Sequence, residues 1–240
     1  MDFETVQLHD WLFFFPSSLT IEGPSYSGKS ETVVKILENR DKLFSEAPTK
    51  VHVFSPTGTF SNKYDVFGDF VTVHSGLPQY SEIIDIVQND NIDGHRVCLI
   101  FDDTSVELFE RKSSKDLYGR LMHHENTFII TTMHNHFEKG QSARNCLISS
   151  SYSIFTKTLR ELAQIKRIGT SLFPGKGTLF SEIYKDAVKT DSADESGVKI
   201  KRYPPSLLYS AHPFYTNPRF QLFSNWLDGL NSSTVIAYEI

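Results

Sequence analysis

The sequence predicts an α/β fold, a mainly parallel sheet with helices on both faces. Short apolar or β-branched runs alternate along the chain with stretches of helical spacing, the pattern of a sheet whose crossovers are helices. One run, Val97–Phe101, is apolar throughout and stops abruptly at Asp102-Asp103, as a central parallel strand buried on both faces does. A glycine-bounded loop joins the first such strand to the first helix.

The elements follow in order. Ser18–Glu22 is β-branched, ends at Gly23 and reads as a strand entering a tight loop. Val33, Val34, Leu37, Leu43 and Phe44 recur at helical spacing, so 31–44 is expected to be one amphipathic helix. Residues 51–54 alternate and stop at Ser55-Pro56-Thr57-Gly58, a turn. Residues 70–73 form a further strand candidate. Ile83, Ile84 and Val87 place a helix over 81–89, and 91–95 read as a polar turn. Strands are expected at 96–101, 127–133 and 152–156, and helices at 159–172 and 178–188. The polar stretch 189–202 reads as a mobile excursion. Residues 206–209 and 220–223 look like late strands of antiparallel type. The organisation expected is an extension over 1–17, one domain over 18–228 and a tail over 229–240, whose last ten residues are too short to assign.

Composition narrows the classes. The chain has 240 residues, enough to bury a core without disulfide staples. Its 2 cysteines, Cys98 and Cys146, lie in apolar runs, which reads as reduced thiols and an intracellular protein. The longest apolar runs fall far short of the ~18 residues a membrane span needs. Residues 1–10 carry acids and no Lys or Arg, unlike a signal peptide. The net charge of −5 argues against a surface coated in basic groups, though not against nucleic acid held in a local basic loop or channel.

Gly23-Pro24-Ser25-Tyr26-Ser27-Gly28-Lys29-Ser30 fits G-x-x-x-x-G-K-[ST] between a predicted strand and a predicted helix, the context of a P-loop. The glycines let backbone N–H groups curl around the β- and γ-phosphates, and the helix N-terminus adds partial positive charge. Lys29 would reach the phosphate oxygens and Ser30 would give a hydroxyl to Mg²⁺. The bland alternative is a Gly-Lys turn before a surface helix; by chance the pattern should occur in about 1% of chains this long. Asp102, at the tip of what is expected to be a neighbouring strand, is placed to hold Mg²⁺, and Asp103 to polarise the attacking water. Alone, Asp-Asp-Thr would be only a turn or cap. Thr131-Thr132-Met133-His134-Asn135 ends another apolar run, where His134 or Asn135 could sense the γ-phosphate. His123-His124 and His134-x-His136 lack the spacing of a zinc site, and the first pair reads as a solvated helix end.

Beyond these motifs the chain carries Gly119-Arg120, His123-His124-Glu125-Asn126 leading into 127–130, and His134-Asn135-His136-Phe137-Glu138-Lys139-Gly140. Downstream stand Arg144, residues 149–152, Arg160-Glu161 with Gln164-Ile165, and Phe173-Pro174-Gly175. In this order the blocks resemble the FtsK/HerA-superfamily DNA-packaging ATPases, most closely the poxvirus-type virion packaging ATPases of large DNA viruses and Polinton/Maverick (adintovirus-like) elements. The resemblance spans about 18–223. It implies an ASCE, RecA-like P-loop NTPase fold, ATP and Mg²⁺, and a homo-oligomeric ring, often a hexamer. It also implies double-stranded DNA and a capsid or portal-vertex protein as partners, and a site in the nucleus or cytoplasm of the infected cell, or in the virion. An arginine would reach the neighbouring subunit's nucleotide: Arg120 first, Arg144 and Arg160 second. Lys112, Lys115, Lys139, Lys166 and Arg167 are candidates for contact with DNA phosphates; each alone reads rather as a solubilising surface charge. The sequence departs from the family where Thr-Gln-Asn becomes Met133-His134-Asn135, so His134 replaces the sensor glutamine, and where Arg-Asp becomes Arg160-Glu161.

Two other functions share the P-loop. A small-molecule or nucleoside kinase would need an acceptor pocket and an arginine-rich lid, and no compact arginine cluster is visible. A nucleotide-binding assembly protein with little hydrolysis would tolerate the altered sensor.

Overall fold

The computed structural model describes residues 3–7, 13–56, 62–137, 143–158, 162–189, 206–211, 220–224, 226 and 234–239. Among the described residues ten strands form one sheet: β1 (Phe3–Gln7), β2 (Ser18–Glu22), β3 (Lys50–Ser55), β4 (Val71–Ser75), β5 (Val97–Phe101), β6 (Phe128–Met133), β7 (Tyr152–Thr156), β8 (Ser206–Ser210), β9 (Phe220–Ser224) and β10 (Thr234–Glu239). Their order is β1-β10-β9-β8-β7-β2-β6-β5-β3-β4. The six strands from β7 to β4 run parallel, and β8, β9, β10 and β1 extend the sheet in antiparallel pairs. The expected mainly parallel α/β sheet is thus observed. The first and last stretches, 1–17 and 229–240, each contribute a strand to it, and these two strands pair with each other. The turn expected at 55–58 is described only as far as Pro56, and the excursion expected at 189–202 lies outside the described residues beyond Lys189.

The helices are α1 (Lys29–Glu38), α2 (Arg40–Leu43), α3 (Tyr80–Ile92), α4 (Ser105–Glu110), α5 (Ser114–Asp116), α6 (Met122–His124), α7 (Ala143–Ser149), α8 (Leu162–Leu172) and α9 (Gly177–Ala187). The single helix expected over 31–44 is two: the chain breaks at Asn39, whose side-chain amide donates to Lys35 O at 2.9 Å. Asn competes for backbone partners and favours such ends. The polar turn expected from 91 is partly helical, since α3 runs to Ile92 before turning at Asp93 and Gly94. Between α5 and α6 the backbone widens into a π-helical turn, Leu117–Leu121, a departure that hydrophobic spacing does not announce.

Alternation sorts the parallel strands into two apolar layers. Cys98 and Ile100 of β5 face one layer with Leu19, Ile21, Ile130 and α1's Val33, Ile36 and Leu37. Val97, Leu99 and Phe101 face the other, with Ile129, Met133, α3's Ile83 and Val87, and Leu108, Leu117 and Leu121. Each such side chain, once buried, stabilises the fold by about 1.5–3 kcal/mol. A third cluster packs α8 and α9 on Phe155, Leu207, Leu222 and Tyr238. Both cysteines are free and buried, as the sequence suggested, and burial pushes the Cys146 thiol up to about 12. No helix among the described residues is long and apolar enough to cross a membrane.

At the β3–β4 edge runs a partly buried polar chain. His52 Nε2 lies 2.5 Å from Asp90 Oδ2, and His52 Nδ1 lies 2.9 Å from His74 Nε2. If His52 donates through Nε2, its Nδ1 accepts from His74, a consistent assignment with both rings neutral. Burial lowers the His52 pKa, with Lys50 adding to it and Asp90 opposing, and burial then His52 lower that of His74. A histidine held neutral in the fold stabilises it fully above its unfolded pKa of ~6.5, and that contribution is lost as pH falls toward the depressed folded value. The contribution of His52 and His74 to stability should therefore drop between pH 7.5 and 5. His74→Gln, which keeps a donor near Nε2 but cannot titrate, should flatten that drop; identical slopes in melting curves would refute the assignment.

Candidate functional site

The loop between β2 and α1 has the form the motif requires. Gly23 has φ +154° and its N–H donates to Met133 O at 3.1 Å, tying the loop's first residue to the tip of β6. A side chain there has no room: a Cβ would lie 1.9 Å from Thr156 Oγ1 and 2.8 Å from Ser27 Oγ. Gly28, at φ +91°, turns the chain into α1, where Thr32 N–H closes the first turn on Gly28 O at 2.8 Å. Pro24 O accepts from Ser27 N–H at 3.3 Å. Ser25 and Tyr26 form the apex, with Tyr26 fully exposed at φ +62°.

Thr156, the last residue of β7, holds the loop from beside. Its hydroxyl lies 2.9 Å from Glu22 O and 2.6 Å from Ser27 Oγ; one proton serves one acceptor, so it donates to the carbonyl and accepts from Ser27. Tyr184 of α9 fixes this strand end, donating to Thr156 O at 2.8 Å and accepting from Thr158 N–H at 2.7 Å.

Lys29 opens α1 and is 8% exposed. Its ammonium donates to Gly23 O at 2.7 Å and Pro24 O at 3.0 Å and lies 3.4 Å from His134 Nδ1. Ser30 Oγ donates to Asp102 Oδ1 at 3.1 Å. Asp102 is buried at the end of β5 and also accepts from Thr132 Oγ1 at 2.9 Å and Tyr64 OH at 3.0 Å. Burial, then the charge and hydrogen bond of Asp102, push the Tyr64 hydroxyl well above the usual tyrosine range, which keeps it a donor. Oxygen donors from a serine and a carboxylate beside a phosphate loop fit a hard cation such as Mg²⁺.

The strand carrying Asp102 is not the immediate neighbour of the loop strand, as the sequence suggested: β6 stands between β2 and β5. Thr132 of β6 bridges the gap, bonding Asp102 and accepting from Asp103 N–H at 2.8 Å. Asp103 takes φ +61°, a left-handed turn that aspartate tolerates, and its carboxylate meets His134 Nε2 at 2.5 Å. His134 thus spans Lys29 and Asp103. The neighbouring Asn135 accepts from Phe137 N–H at 2.8 Å and shapes the turn that presents His134.

The structure therefore gathers residues 23–30, Asp102, Asp103 and His134. Arg120 stands apart: it is exposed on the π-helical turn, near Tyr80, with no hydrogen bond to the loop. Arg144, Lys112, Lys115 and Lys166 are exposed, and Arg167 lies over the Phe137 ring at 4.7 Å. Lys139 and Arg160 fall outside the described residues. His123 and His124 are exposed at the end of α6. Sequence reasoning missed Tyr64, Thr156 and Glu22. Thr132 was within reach, since period-two alternation from His134 points to it.

No protein-family model matches the sequence, and no curated protein matches it. Solved structures do. The DNA-packaging ATPase B204 from Sulfolobus turreted icosahedral virus matches with a TM-score of 0.55 at 12% identity, over 94% of this chain and 98% of that one. The chain shares its fold. The genome packaging NTPase B204 from Sulfolobus turreted icosahedral virus 2 matches in complex with sulfate (TM-score 0.51, 13% identity) and with ATP-γS (TM-score 0.51, 12% identity), each over 94% and 98% of the two chains. The expected P-loop NTPase fold, a mainly parallel sheet with helices on both faces, is the fold observed.

Proposed function

We propose that this chain is an ATP-driven translocase of double-stranded DNA that packages a viral or viral-like genome into capsids, of the poxvirus-type branch its sequence resembles. The observation that carries the reading is the meeting of Lys29, Ser30, Asp102, Asp103 and His134 at the ends of three different strand connections. That arrangement suits hydrolysis of a nucleoside triphosphate. The B204 structures, one holding ATP-γS, share the fold around it.

Residues 23–30 bind the triphosphate through backbone N–H groups, and Lys29 exchanges its loop carbonyls for β- and γ-phosphate oxygens. Ser30 and Asp102 would hold Mg²⁺, whose chemistry is to neutralise charge developing on the phosphates. Asp103 takes a proton from the attacking water, and His134 holds that water or the γ-phosphate. Arg120, exposed and making no hydrogen bond to its own loop, acts on the neighbouring subunit's nucleotide in a ring, where a guanidinium can be worth ~10³–10⁵ in rate. DNA is contacted through backbone phosphates by exposed lysines and arginines, so binding is blind to sequence and falls with salt.

One observation favours the assembly-protein reading: His134 occupies Asp103, which leaves that carboxylate engaged. Turnover measured with and without duplex DNA decides, together with sizing in Mg²⁺ and a non-hydrolysable ATP analogue. The proposal expects turnover that rises with DNA and a ring that forms with the analogue. A monomer whose turnover ignores DNA would overturn it; binding without turnover would leave the assembly protein.

A further inference from the structure

Glu22 is the last residue of β2, directly before the phosphate loop, and is 4% exposed. An apolar side chain would end a buried strand at no electrostatic cost, whereas a buried carboxylate costs several kcal/mol unless it is paired. Its partner is His136, whose Nδ1 lies 2.8 Å from Glu22 Oε2; Thr20 Oγ1 donates to Oε1 at 3.2 Å. His136 is itself partly buried, its side chain 13% exposed and its ring edge-on to Phe137 at 5.1 Å. Burial alone would lower its pKa, but the charge and hydrogen bond of Glu22 together outweigh burial and raise it.

The position of this pair gives it a consequence. In the sheet register Glu22 lies opposite Met133, the last residue of β6, and Gly23 N–H donates to Met133 O. The chain then leaves β6 and makes a turn. His134 points to Lys29 and Asp103; two residues later His136 returns to Glu22. The turn is fixed at both ends, and His134, a side chain 41% exposed, hangs between them. A shift of ~1 Å in such a group can cost ~10²-fold in rate.

We propose that Glu22 and His136 are positioning residues, a partly buried strut between the strand before the phosphate loop and the turn after β6 that holds His134 in register with Lys29 and Asp103. The inference rests on the proposed role of His134 for its kinetic consequence, but not for its structural one.

The test compares two substitutions that differ only in where they place a donor. His136→Asn puts an amide N–H near the Nδ1 position, and His136→Gln puts it near Nε2. His136→Asn is expected to keep kcat within ~3-fold, whereas His136→Gln loses ~10-fold or more with KM for ATP within ~3-fold. Amide exchange at Phe137, whose N–H is held by Asn135, should speed up in His136→Gln and stay slow in His136→Asn. Equal rates and equal exchange in the two variants would overturn the strut. If the wild-type chain hydrolyses no ATP, the exchange arm still decides it, so failure of the hydrolase reading and failure of the strut are told apart. Should His136→Gln not fold, Glu22→Gln, which keeps an acceptor and removes the charge, should lower kcat at unchanged KM and loosen the same amide; wild-type behaviour in both would reject the proposal.

Discussion

Lys29→Ala should lose ATP turnover by at least ~100-fold, the scale on which one charge-stabilising donor at a transition state counts. Lys29 is the cation that opens α1, buried at 8% exposure with its ammonium on two carbonyls of its own loop. Those carbonyls belong to Gly23 and Pro24, both partly open to solvent, so water can replace the lost donor and the fold should lose only about 1 kcal/mol. Lys29→Arg should not restore the rate. A planar fork is not a compact ammonium, and the space bounded by Gly23 O, Pro24 O and His134 Nδ1 suits a point charge. Steady-state hydrolysis beside a thermal melt measures both effects. Full turnover in Lys29→Ala with an intact melt would remove the phosphate-loop assignment altogether.

What the sequence reveals of this molecule depends on how local the determining contacts are. Ser18–Glu22 and Tyr152–Thr156 are predicted to the residue because each is a short run rich in β-branched, aromatic or small residues, the composition of a strand. The phosphate loop is legible for the same reason, its geometry residing in eight consecutive residues. β1 and β10 are different. Each pairs antiparallel with the other from the opposite end of the chain, and nothing in either stretch names its partner. The stretch 105–124 resists too, because short helices and a π-helical turn break the 3.6-residue period that would announce one helix.

The site divides along the same line. Lys29, Ser30 and Asp102 follow from motif and strand end. Tyr64 reaches Asp102 from a 3₁₀ segment, Asn62–Phe70, that has no periodic signature. Thr156 and Glu22 act on the loop through the sheet, and strand order alone brings β7 beside β2. Even the expectation that Asp102 ends the strand next to the loop strand needed the structure to correct it, since the insertion of β6 sets which hydroxyls can bridge the loop to the acid.

That bridge makes the second strong expectation. Asp102→Asn should lower turnover by about 10²–10³-fold, because it removes the one carboxylate that meets Ser30 Oγ and so half of the oxygen set suited to Mg²⁺. The structural cost is separable. Asp102 accepts from three hydroxyls, Ser30 and Thr132 on Oδ1 and Tyr64 on Oδ2. Asparagine keeps one acceptor oxygen and presents an N–H₂ where the other stood, so one hydroxyl must turn from donor to acceptor. Such a mismatch in a buried site costs about 1–3 kcal/mol. Tyr64→Phe isolates that part: it deletes one donor to Asp102 while leaving the charge, and should lower the melting temperature with a rate loss of less than ~10-fold. The Mg²⁺ dependence of turnover separates the two variants further. Asp102→Asn should need far more Mg²⁺ to reach its half-maximal rate, and Tyr64→Phe should need nearly the wild-type amount. If Asp102→Asn keeps both the rate and the Mg²⁺ dependence of the wild type, the acid serves only to knit Ser30, Thr132 and Tyr64 together, and the metal must be held elsewhere.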